Sequence, residues 1–237
     1  MRIVYICRMK DLTLLEKIIA AFLLLTVIYG LYIYATDAAK FDFLVEEDSF
    51  YENLTSIFLF FASFTLLYKF FTYQKFYGLW WKVGILLMAV ALFFGGGEEI
   101  SWGQRIFQIE SSEFFKENNA QAETNLHNMV VDGVKLNKII FSNLMSICFG
   151  IYFLIVPILW KKSPKMNALI DRFGISVPRP VHVIGFIIIT LLILVPIHHG
   201  RKWEMWEYAF ALVMFLIVFN PWNSKEIFAK TTAQKDF

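Results

Sequence analysis

The stretch LWWKVGILLMAVALFFGGG at 79–97, followed by EEISWGQR at 98–105, decides what kind of molecule this is. Lys82 is the one charged residue of the apolar run, and two adjacent carboxylates close it. A helix needs about 20 mostly apolar residues to cross a bilayer, and this run meets that need. Five further runs do so at 17–36, 50–71, 139–160, 181–197 and 203–220. The pattern predicts an all-α integral membrane protein, a six-transmembrane-helix bundle forming a single transmembrane domain over 1–237. The connection over 98–138 is too long for a simple turn, because structureless loops beyond about 12–15 residues are uncommon. Its apolar residues Ile106, Phe107, Ile109, Phe114 and Phe115 predict an amphipathic extracytoplasmic cap between the third and fourth spans, lying on the membrane.

Composition agrees. Of the 237 residues 58% are hydrophobic and 18% charged, with 26 Phe, 10 Tyr and 7 Trp; soluble domains average about 45–50% apolar and about 25% charged. A net charge of +2 excludes the concentrated basic surface of a nucleic-acid binder. Cys7 and Cys148 alone make no disulfide framework. Arg2, Arg8 and Lys10 precede the first apolar run as in a signal peptide. That run exceeds the roughly 7–15 residues of a signal-peptide core, which predicts a retained first span.

The charges divide by side. Under the six-span topology, 15 Lys and Arg residues fall on the side of the termini and 7 on the other, which predicts cytoplasmic N- and C-termini. The carboxylates divide the opposite way, 5 against 15. The near-neutral total therefore conceals an acidic outer face, which could dock a protein partner.

That face collects the candidate chemistry. Glu52 and Thr55 share a helix face at the start of the second span. Glu98 and Glu99 end the third after Gly95, Gly96 and Gly97, which permit either a backbone break or a close helix contact. If helix continues, Glu98 faces Arg105, and a plain interfacial ion pair beneath Trp102 explains the motif. His127 lies in the polar string Asn125-Leu126-His127-Asn128, and His198, His199, Glu204 and Glu207 lie between and at the start of the last two spans. Simpler readings stand beside these. Acidic groups suit a helix N-terminus, so Glu204 and Glu207 could complement a dipole. His198 and His199 could be ordinary interfacial side chains.

Together, carboxylates and imidazoles from several helices are the ingredients of a divalent metal site for zinc, iron or manganese. The candidate ligands are Glu98, Glu99, His127, His198, His199, Glu204 and Glu207, with Glu52, Glu99 and Gln104 as candidate catalytic or positioning groups. No metal-binding spacing motif ties them together, and an unmetallated Glu/His acid–base site serves equally. The expectation is a metal-dependent hydrolase or transferase acting on a lipid or lipid-linked substrate at the extracytoplasmic leaflet. The alternatives are a non-enzymatic scaffold or accessory subunit and, third, an ion-coupled transporter, whose site belongs nearer the bilayer midplane.

The string EEISWGQR at 98–105 with NLHN at 125–128, Glu47, Asp48, Glu52 and Thr55 resembles a family of uncharacterised bacterial multispanning membrane proteins. The resemblance implies a bacterial inner-membrane location and carries no activity. A looser analogy links the Glu, Ser and His residues at helix ends to the alkaline ceramidase superfamily of membrane hydrolases. This chain has one span fewer than that superfamily and lacks its C-terminal His-x-x-x-His pair.

Overall fold

The computed structural model describes residues 12–46, 49–126, 128–131, 134–135 and 145–230. Among the described residues the regular structure is helical apart from a two-residue antiparallel pair, Val130–Val131 against Val134–Lys135. In chain order the helices are α1 (Leu14–Thr36), α2 (Ala38–Val45), α3 (Phe50–Tyr73) and α4 (Leu79–Glu99), then the short α5 (Gln104–Phe107) and α6 (Glu113–Asn118). There follow α7 (Met145–Gly150), a π-helical turn (Ile151–Ile155), α8 (Val156–Lys162), α9 (Pro164–Arg172), α10 (Pro180–Leu194), α11 (Lys202–Phe219) and α12 (Ser224–Ile227). Among the described residues, three helical stretches are long and apolar enough to cross a membrane: Leu14–Thr36, Ala38–Phe76 and Leu79–Glu99. A fourth forms if Ile147–Lys162 and Pro164–Arg172, bent by 119°, are one broken span.

α1 begins three residues earlier than its apolar run, because Thr13 and Glu16 form a reciprocal capping box. The two long helices at its side, α3 and α4, are antiparallel and joined by hydroxyl bonds. Ser56 Oγ donates to the Gly96 carbonyl at 2.7 Å and Ser63 Oγ to the Ala89 carbonyl at 2.8 Å. Where lipid supplies no hydrophobic drive between helices, such small and hydroxylated contacts hold them together.

The axis of the bundle is α11. Every residue from Tyr208 to Val218 is buried, whereas α1, α3 and α4 each leave an apolar face exposed, as with Leu25, Phe61 and Leu87. A helix that is apolar all round belongs in the interior. α11 packs chiefly on α3 and also on α10 and α1. Tyr51 of α3 donates to the Thr26 carbonyl of α1 at 2.9 Å, and the Thr26 hydroxyl pairs with Tyr208 of α11 at 2.9 Å.

At one end of the bundle, called here the Glu16 end, the Lys69 ammonium donates to the Val218 and Phe219 carbonyls at 2.6 and 2.9 Å. It thereby satisfies carbonyls that the end of α11 leaves without helical partners. Asn223 ties the same end to the 171–177 stretch through Asp171, Ile175 and Val177. At the opposite, Glu99 end, Lys202 does for α10 what Lys69 does for α11, donating to the Leu194 and Ile197 carbonyls at 3.2 and 3.0 Å.

Candidate functional site

Three helix ends converge at the Glu99 end: the start of α3, the finish of α4 and the start of α11. Helix α4 runs unbroken through Gly95, Gly96 and Gly97 to Glu99, so the glycines serve close contact and not a break. A Cβ on Gly96 would lie 3.2 Å from the Phe60 ring and from the Ser56 carbonyl, and one on Gly97 would lie 2.8 Å from the Trp102 ring. The break comes immediately afterwards. Ser101, Trp102 and Gly103 all take positive φ, at 46°, 56° and 75°, reversing the chain within three residues.

This reversal changes the partners expected for a continuous helix. Glu98 accepts from the Trp102 indole N–H at 2.8 Å and from the Leu126 backbone N–H at 2.5 Å, clasping the loop that follows onto α4. Arg105 turns to Glu123. Glu123 also accepts from the Ser101 hydroxyl at 2.5 Å and from the Asn125 amide at 3.3 Å. Asn119 donates to the Asn125 carbonyl and side chain, both at 2.9 Å. Both ends of the Gln104 amide are taken within this network, one donating to Ser111 and the other accepting from the Thr124 N–H, each at 2.7 Å. Asn119, Glu123 and Asn125 thus form the interior of a folded loop. Their density in the sequence is the signal that could have revealed it.

The glutamates that remain form one constellation. Glu99 lies within electrostatic reach of Glu207, Glu204, Glu52 and Glu98, and Glu207 within reach of Glu52. Glu52 and Glu204 sit in the first turns of α3 and α11, where the helix dipole favours negative charge. Thr55, on the same face as Glu52, turns its hydroxyl back to the Tyr51 carbonyl at 2.9 Å.

The histidines lie apart from this group. His199 Nε2 is 3.0 Å from the Asp42 carboxylate, its Nδ1 accepts from the Arg201 N–H at 3.2 Å, and its ring stands edge-on to Phe41. The His198 backbone N–H donates to the Tyr34 hydroxyl at 2.9 Å. Both therefore engage α1 and α2. His127, Glu47 and Asp48 lie outside the described residues. Among the described residues, no three His, Cys, Asp or Glu side chains are placed to hold a metal ion.

A second polar centre occupies the Glu16 end. Buried Glu16 accepts from the Asn220 amide at 3.0 Å, with Arg179 at 3.4 Å and His182 at 3.7 Å from its other oxygen. Thr13 and Glu16 carry a capping-box spacing, the one local signal that could have pointed to it. No protein family matches this chain, and neither does any curated protein or solved structure.

Proposed function

We propose that this is a six-span membrane protein whose Glu99 end is the reactive centre of a hydrolase or transferase acting on a lipid or lipid-linked substrate. The reading rests on Glu99, at the end of α4, lying within electrostatic reach of Glu52 at the start of α3 and of Glu204 and Glu207 at the start of α11. Carboxylates held near one another at a membrane boundary suit proton transfer to and from a substrate headgroup. Glu99 is assigned the acid–base role, with Glu207 and Glu52 setting its electrostatic surroundings. The described side chains do not assemble a metal-ligand set, so the chemistry is assigned to the carboxylates themselves. The bias of Lys and Arg to the opposite end supports an extracytoplasmic location for this centre. Its position at a helix terminus, away from the middle of the bundle, favours surface chemistry over an ion-coupled carrier.

The test uses the full chain reconstituted in phosphatidylethanolamine and phosphatidylglycerol vesicles, with released headgroups and fatty acids measured by mass spectrometry. Glu99→Gln is expected to lower turnover by about 10²-fold or more, the usual contribution of a general acid or base. Turnover unchanged in Glu99→Gln removes the assignment. An absence of lipid products from the wild type overturns the enzyme reading in favour of a scaffold. Stoichiometric metal in the purified protein, lost in Glu99→Gln, would replace the acid–base mechanism by a metal-dependent one.

A further inference from the structure

The folded loop that follows α4 has its polarity reversed. Its interior is made of Ser101, Asn119, Glu123 and Asn125, the last two only 7% and 3% exposed. Its large apolar side chains point outward: Ile106 is 68% exposed, Phe107 71%, Ile109 60% and Phe114 55%. A loop folded for water arranges these groups the other way. Large apolar side chains turned outward together mark contact with a membrane or another protein.

The course of the chain identifies which. Trp102 does not project beyond the end of α4 but folds back along it, its ring 5.4 Å from Phe94 and 6.4 Å from Phe93. Phe94 precedes Glu98 by four residues, about 6 Å of helix at roughly 1.5 Å per residue. Trp102 therefore lies about one turn back from the carboxylates. Phe93 and Phe94 are themselves exposed, on a helix long and apolar enough to cross a membrane. The outward apolar surface of the loop thus continues the lipid-facing surface of α4. Glu110 and Lys116, paired at 3.3 Å and exposed, place the far edge of the loop among headgroups and not in the hydrocarbon.

We infer that the 102–114 stretch is set into the headgroup–acyl boundary of the bilayer, with Ile106, Phe107 and Ile109 in contact with lipid tails. This surface is independent of the role assigned to Glu99. The stretch carries Glu110, Glu113 and one lone cation, Arg105, which is already paired with Glu123. The insertion is therefore apolar and does not depend on anionic lipid.

The test is nitroxide labelling of the full chain in phosphatidylcholine vesicles, with Cys7 and Cys148 replaced by serine. Phe107→Cys and, separately, Ile109→Cys carry the label, because one of the two positions could disturb the loop. Collision rates with oxygen and with a water-soluble nickel chelate are compared with those at two references. These are Leu87→Cys on the exposed face of α4 and Lys75→Cys in the exposed connection between α3 and α4. The expected result is access by oxygen and protection from the chelate, as at Leu87, unchanged when phosphatidylglycerol is added. Chelate access like that at Lys75 overturns the inference, and so does protection from both reagents, which would signify a covering protein.

Discussion

The hydroxyl of Ser56 donates to the carbonyl of Gly96 at 2.7 Å, one turn before Glu99 on α4 and one turn beyond Glu52 on α3. This bond fixes the separation of the two helices that bring those carboxylates together, and Gly96 is the residue that lets them approach. Ser56→Ala removes one hydroxyl bond and is expected to cost roughly 0.5–2 kcal/mol, the range for such bonds in membranes. Gly96→Leu adds a side chain where even a Cβ already presses on the Ser56 carbonyl, so it should be the more damaging of the two. Unfolding titrations in mixed micelles measure both; equal stability of the two variants would show that the helices are free to part.

Glu123 is the hub of the loop over α4. Glu123→Ala leaves Arg105, Ser101 and Asn125 without their shared acceptor, and a loss of about 1–3 kcal/mol is expected for buried partners left unsatisfied. The effect should be local. Limited proteolysis is expected to cut within 102–126 faster than in the wild type, while α3 and α4 remain resistant. An unchanged cleavage rate would show that the hub does not hold the loop.

At the other end, Glu16 joins α1 to the start of α10 and the end of α11. Glu16→Ala strands the Arg179 charge in a largely buried setting and is expected to cost about 3–5 kcal/mol. Thr13→Ala, which removes only the cap, should cost about 1 kcal/mol. Glu16→Ala combined with Arg179→Ala should fall well short of the sum of the single changes, since the two share one interaction. Strict additivity in thermal unfolding would argue that they do not.

Two glycines inside helices make opposite predictions. A Cβ on Gly84 of α4 would collide with the backbone oxygen of Phe173, an atom that cannot rotate away, so Gly84→Ala should destabilise the protein strongly. Gly185 of α10 has open space in the same position. Gly185→Ala is therefore expected to be stabilising by about 0.5–1 kcal/mol through helix propensity alone. Melting temperatures of the two variants moving in the same direction would contradict the packing.

The helices were legible because apolar length is a local property. The run 79–97 became α4 and the run 203–220 became α11, each within two residues of its expected limits. The run 139–160 is less regular than its apolar length implies: within its described part, α7 passes through a π-helical turn into α8, and a sharp corner into α9 follows. Partner choice was less legible still. A continuous helix would set Glu98 facing Arg105, but Ser101 and Trp102 take left-handed backbone conformations that non-glycine residues seldom adopt. Nothing local announces such a reversal. The pairing of His199 with Asp42 likewise depends on how α2 folds beside α1, more than 150 residues earlier in the chain.

The burial of α11 has a consequence for biogenesis. The helix on which α1, α3 and α10 pack is synthesised after the long ones, so α1 and α3 are made before their common partner exists. Until α11 arrives, Tyr51 and Thr26 can bond to each other, but the site for Tyr208 stays open and Lys69 has no α11 carbonyls to bind. A chain stopped before Lys202 should leave Phe58 and Leu66, sealed in the complete protein, open to lipid-phase photolabelling.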